Sequence, residues 1–247
     1  QPPYVIGMLP LTAETPTNKF SIIKNNRLKT SLQINLAGEK ILLTPDDYHS
    51  IFRSSFADIE TLLALHRFAW LPLLGDNVDL AWVNNLWQAW CHDFAIPSDH
   101  MAWHPYTATE RACNILGFAR RHGLPGEENA TLGILRAHAT VIADQLEYFG
   151  DHHTSNHLSN NGRGLFVLGL ELRLEKATLL GAKILHSESQ RIFSESGFLR
   201  EGSSHYQLLV ARNYVEVWLA AKRHKHEEEK NLGVIAKNIL SAAAAIF

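Results

Sequence analysis

Cysteine is nearly missing from this chain: Cys91 and Cys113 are the only two in 247 residues. So few thiols exclude a disulfide framework and a cysteine-rich zinc module. Both lie in apolar helical surroundings that suit buried free thiols. No apolar run approaches the roughly 18 residues that a membrane-spanning helix needs. Charge of one sign is lacking as well, since 23 Lys and Arg face 25 Asp and Glu for a net charge of −2. That balance excludes a histone-like polyanion binder but leaves room for a local basic cleft. The one basic cluster, Lys222-Arg223-His224-Lys225-His226, runs directly into Glu227-Glu228-Glu229 and reads as an exposed interhelical loop, not a nucleic-acid surface. There is no Gly-x-Ser-x-Gly elbow, no phosphate-cradling glycine loop and no dinucleotide fingerprint. The start, Gln1-Pro2-Pro3-Tyr4, lacks the basic segment and apolar core of a secretory signal, and the last residues stop inside an expected helix. The chain is therefore expected to be a piece of a longer protein.

What is present suits a helical globular protein. Hydrophobic residues make up 46% of the chain, and 14 histidines make its charge sensitive to pH between about 5 and 7. Residues 1–45 are proline-spotted, with an alternating run Ser31-Leu32-Gln33-Ile34-Asn35-Leu36, and read as an arm with short strands. From Pro45 on, helical spacing dominates. Helices are expected over about 56–74, ended by Gly75-Asp76-Asn77, then around Leu80 to Trp90, and from a Thr107/Glu110 capping box to His122-Gly123. Others are expected over about 129–149, 164–185, 187–196, 203–222 and 231–247. Short linkers imply antiparallel hairpins, and no fixed sequence period points to a repeat array.

Two polar segments interrupt this pattern. The first, residues 151–164, carries His152, His153 and His157 with Asn156, Asn160 and Asn161 between apolar flanks. Burying such groups is costly unless they find partners. His153 and His157 are one helical turn apart, yet no glutamate lies between them as in helical zinc hydrolases, so a solvated or hydrogen-bonded cluster is the simpler reading than a metal site. The second segment, residues 194–207, contains Arg200, Glu201, His205 and Tyr206. Taken alone it is a capping loop, with Ser203 or Ser204 as the cap and Tyr206 packing by its ring.

Taken together, the two segments resemble the helical domain of the heparinase II/III-like polysaccharide lyases. Ser155-Asn156-His157-Leu158-Ser159-Asn160 is similar to the family's Asn-His-Leu-x-x-Asn stretch. Arg200-Glu201-Gly202-Ser203-Ser204-His205-Tyr206-Gln207 is similar to its Glu-Arg-Ser-Pro-x-Tyr-His stretch. Trp103-His104-Pro105-Tyr106, followed by Arg111 and Asn114, is a third match. The likeness runs in order over about residues 60–247. Gly202, Ser204 and Gln207 stand where the family has Arg, Pro and His.

The resemblance implies an all-α fold, an incomplete (α/α) toroid of helical hairpins over residues 46–247, with a C-terminal β-sandwich domain as its partner. It implies β-elimination on a uronic-acid polysaccharide such as a glycosaminoglycan or alginate, without cofactor or metal. The proton at C5 of a uronate is barely acidic while the neighbouring carboxylate is ionised, so an enzyme must neutralise that carboxylate and hold the charge that develops. By resemblance Asn156 does this with His157 beside it, and Tyr206 is the general acid/base. A tyrosine with an ordinary pKa near 10 needs neighbouring cations to work as a base, for which Arg200, His205 and Arg163 are the local candidates. Trp103, His104 and Tyr106 are expected to form a sugar-binding wall, with Asn160, Arg163, Arg200, Glu201 and His205 as further substrate contacts. A periplasmic or secreted location follows from family habit, with the cytoplasm left open. The rival from another class is a non-catalytic acidic-polysaccharide-binding protein of the same fold, which the altered residues around Tyr206 favour. A histidine-cluster metalloenzyme is the third reading.

Overall fold

The computed structural model describes residues 1–12, 14–17, 19–24, 27–28, 30–36, 38–75, 78–153 and 155–246. Asp76 and Asn77 of the expected helix stop, Thr154 of the first polar segment and the final Phe247 lie outside the described residues. The described chain is helical, with a single two-stranded hairpin, and divides into two compact units: residues 16–141, and residues 1–15 with 142–247.

In the unit of residues 16–141, the alternating run expected as a strand forms β1 (Leu32–Leu36), paired antiparallel with β2 (Glu39–Leu43). Ile34 and Leu36 point inward and the alternating Gln33 and Asn35 outward, as a period of two requires. The helix expected over 56–74 is shorter. Asp58 caps α1 (Ile59–His66) by accepting from the Glu60 N–H, Phe68 takes a left-handed φ of 52°, and Leu71–Leu74 form a 3-10 turn entered through Pro72. Proline cannot continue the α-helical ladder, so the periodic run breaks there. Asp79 caps α2 (Leu80–Phe94), whose Trp82, Trp87 and Trp90 are buried.

α3 (Pro105–His122) starts two residues before the expected capping box. Pro105 takes the first helical position, where its missing N–H is no loss. Thr107 is thereby drawn inside the helix, fully buried with its hydroxyl unpartnered, and no box forms. Gly123 ends the helix at a positive φ of 100°, as expected. Most of α4 (Glu128–Asp144) completes the unit, and the Thr131 hydroxyl on it accepts from Trp87 Nε1 at 2.9 Å. Both cysteines are free, and burial pushes the Cys91 thiol up to about 12.

The other unit holds two helical hairpins, α5 (His157–Leu172) with α6 (Glu175–Ile192) and α7 (Ser204–His224) with α8 (Glu229–Ala244). The single helix expected over 164–185 does not exist. Arg173 adopts a left-handed φ of 58° and turns the chain between α5 and α6, without the glycine or proline that would have marked the turn. α5 is buried from Leu158 to Leu172. It approaches α6 so closely that a Cβ on Gly181 would sit 2.7 Å from the Gly162 carbonyl oxygen and 2.8 Å from Phe166 Cα. The N-terminal turn Pro3–Val5 packs on α6, where the Tyr4 hydroxyl donates to the buried Glu188 carboxylate at 2.8 Å.

Candidate functional site

The first polar segment is half loop and half helix. Asn156 is the residue before α5, and Asn160, Asn161 and Arg163 lie in its first two turns. Asn156 is 3% exposed, its side chain makes no capping bond, and its Oδ1 has no partner. His157 is the first helical residue, with a side chain 43% exposed. Its Nδ1 lies 2.6 Å from Glu147 Oε1. Asn161, one turn further on, donates through Nδ2 to Glu147 Oε2 and accepts the Glu147 backbone N–H through Oδ1, both at 2.9 Å. Phe149, 60% exposed, turns a ring edge toward His157. The sequence reading missed Glu147 and Phe149 because it placed both in a helix over about 129–149, whereas α4 ends at Asp144 and they lie in the irregular loop that follows. Asn161 was legible only as a residue four positions after His157.

Asn160 and Arg163, expected to meet substrate, are interior instead: 0% and 2% exposed. Arg163 donates through Nε to Glu216 on α7 at 2.8 Å and through Nη1 to Asn160 Oδ1 at 2.9 Å. A helix stripe facing another helix must satisfy its polar groups there, and these residues do so apart from Asn160 Nδ2, which is buried without a partner. Arg163 is thus held by α7. The pairs Asn160–Asn213 and Arg163–Glu216 share one offset of 53 residues, so α5 and α7 run parallel and begin at the same end of the unit. Tyr206, in the first turn of α7, belongs to that end with Asn156 and His157.

Ser203 caps α7, accepting from the Tyr206 N–H at 3.3 Å, and the Tyr206 side chain is 39% exposed with its ring edge-on to His205. Arg200, Glu201 and His205 are exposed, and Arg200 donates through Nε to the Phe193 carbonyl. Gln207, standing where the family has His, is buried. Its Oε1 accepts the Leu199 N–H at 2.7 Å, and its Nε2 donates to the Gly197 and Ile239 carbonyls, locking the 193–199 turn onto α8. His152 and His153 are exposed, and among the described residues no three or more His, Cys, Asp or Glu side chains converge as a metal site.

The third match lies in the unit of residues 16–141 and is architectural. Trp103, expected in a sugar wall, is 1% exposed. Its Nε1 donates to the Phe94 carbonyl and its ring packs on Trp90 and His138. His104 and Tyr106 are half-buried, the latter under the Arg67 guanidinium. Arg111, fully buried and 4.1 Å from the Trp90 ring, donates to the His66 carbonyl, and Asn114 donates to that of Arg67. The last carbonyls of α1 have no helical partner of their own, and α3 supplies one.

Arg111 also donates through Nε to His138 Nε2, so both this ring and that of His66 are held neutral beside a buried cation. Burial first, then Arg111 and His100, lower His66 to about 3, while burial and Arg111 hold His138 well below its usual value. The unfolded chain binds these protons below about pH 6.5 and the native chain does not, so stability is full above that pH and falls with acid. Each histidine contributes a slope of about 1.4 kcal/mol per pH unit. Urea midpoints are expected to drop between pH 7 and pH 5, and His66→Gln to flatten that drop.

No helix among the described residues is long and apolar enough to cross a membrane. The sequence matches no protein-family model and no curated protein. Solved structures do match. A mutant of heparan sulfate lyase HepC from Pedobacter heparinus aligns with 87% of this chain and 36% of its own, at 16% identity and a TM-score of 0.59. The HepC structure without that description aligns with 80% and 33%, at 15% identity and 0.54. A heparinase III aligns with 79% and 36%, at 16% identity and 0.53. The chain thus spans about a third of the length of the solved chains it matches. At these identities the likeness establishes the fold, which is that of the helical toroid domains of heparan sulfate lyases.

Proposed function

We propose that this chain provides the helical side of a polysaccharide lyase site that cleaves a uronic-acid polysaccharide by β-elimination. The observation that carries this reading is the pairing, at the start of α5, of Asn156 with a half-exposed His157 held by Glu147. An amide and an imidazole at a helix N-terminus suit a carboxylate, because the open N–H groups and the helix dipole favour negative charge there. Hydrogen bonds from the Asn156 amide, and from Nε2–H of the His157 ring in its doubly protonated form, would withdraw charge from the uronate carboxylate and make the C5 proton removable. Tyr206, exposed at the start of the parallel helix α7, would move the proton between C5 and the leaving O4. Arg200, Glu201 and His205 are the exposed neighbours that could meet further sugar units. A C-terminal β-sandwich domain is the partner proposed to close the other side of the site.

The test is incubation of the protein carrying this chain with heparan sulfate, alginate and related uronans. The expected product is an ultraviolet-absorbing unsaturated uronate end, and Tyr206→Phe is expected to abolish it while leaving polysaccharide binding intact. Binding without any elimination by the unaltered protein would overturn the lyase reading in favour of a non-catalytic binding module.

A further inference from the structure

Glu147 is 7% exposed, and both of its carboxylate oxygens are engaged. Oε1 lies 2.6 Å from His157 Nδ1 and Oε2 accepts from Asn161 Nδ2 at 2.9 Å. The orientation of the Asn161 amide follows from chemistry: its oxygen must be the atom that takes the Glu147 backbone N–H, so its nitrogen is the donor to the carboxylate. Asn161 therefore grips the backbone and the side chain of one residue at once. An ionised carboxylate has no proton to give and can only accept, which puts the proton of the short His157 contact on Nδ1. The loop that brings Glu147 is itself tied down, since the Tyr148 hydroxyl donates to Asp151 and Arg191 reaches the Asp151 carbonyl from α6.

We infer that Glu147 is a positioning residue: with Asn161 it holds the His157 ring in its Nδ1–H form, so that ring chemistry runs through Nε2. A carboxylate behind an imidazole fixes its tautomer and rotation and supports positive charge that builds on the ring during reaction. The catalytic consequence rests on the lyase reading, but the tautomer does not.

The test is nitrogen-15 spectroscopy of the His157 ring in the free protein, assigned by loss of the signal in His157→Gln, together with steady-state cleavage of uronan. The unaltered protein is expected to show an Nδ1-protonated ring, and Glu147→Ala a mixture of tautomers with kcat down about 10- to 100-fold at nearly unchanged KM. The isosteric Glu147→Gln keeps an acceptor for Nδ1 without the charge, and is expected to retain the ring signature while losing about tenfold in kcat. An Nε2-protonated ring in the unaltered protein overturns the inference, and so does a wild-type signature in Glu147→Ala or a wild-type rate in both variants. A protein that shows the Nδ1–H ring yet cleaves no uronan refutes the lyase reading and leaves the tautomer assignment standing.

Discussion

Gly181→Ala is expected to remove about 3 kcal/mol of stability, a large effect for one methyl group. The added Cβ would meet the Phe166 backbone nitrogen and stand 2.7 Å from the Gly162 carbonyl oxygen. These are backbone atoms of a fully buried helix, one turn apart, and they cannot rotate away as a side-chain tip can. Relief requires α5 and α6 to separate along a closely packed seam that includes Gly169 against Thr178. Because Asn156 and His157 sit at the head of α5, the same displacement is expected to disturb the site. Gly133→Ala is the control: nothing lies within 4 Å of its Cβ position on α4. There the substitution is expected to be neutral or to gain up to about 1 kcal/mol from helix propensity. Urea unfolding of both variants checks the pair, and a loss below about 1 kcal/mol for Gly181→Ala would contradict the close-contact argument.

Asn156→Ala is expected to have the opposite profile, with activity lost and stability kept. If its amide donates to the uronate carboxylate, removing it takes away a donor aimed at developing charge, a loss of about 100- to 1,000-fold in kcat. The fold is expected to notice little. The Asn156 side chain makes no capping bond, so no cap is lost, and its buried Oδ1 has no partner to leave behind. Truncating an unsatisfied polar group is close to neutral. Kinetics of uronan cleavage beside a urea curve separates the two effects. Activity within about threefold of the unaltered protein would remove Asn156 from the chemistry.

Much of the architecture was legible because it is local. Period-two alternation marked β1, apolar spacing marked α2, and the caps Gly123 and Ser203 stood where expected. Failures came where local rules compete. Arg173 turns the chain left-handed inside what reads as one continuous apolar helix, and Pro105 starts α3 early and pulls Thr107 away from the cap it resembled. The site was legible in its motifs only. Asn160, Arg163 and Gln207 carry the same polar signature as a binding residue, but they join helix to helix and turn to helix. Trp103 is an aromatic that looked available to a sugar and is committed to the core. Composition cannot tell a polar group that meets solvent from one that meets another helix.

The sequence by itself determined that this chain is helical, built without a disulfide framework, and marked by polar segments ahead of α5 and α7. Those features depend on spacing, cap chemistry and residue type, which neighbours along the chain decide. Tertiary structure alone decided which polar residues are interior, that α5 and α7 begin at the same end, and that Glu147 and Asn161 grip His157. Glu147 and His157 are ten residues apart and separated by an irregular loop, so no periodicity relates them. Only the folding of that loop back onto the first turns of α5 brings the carboxylate to the ring.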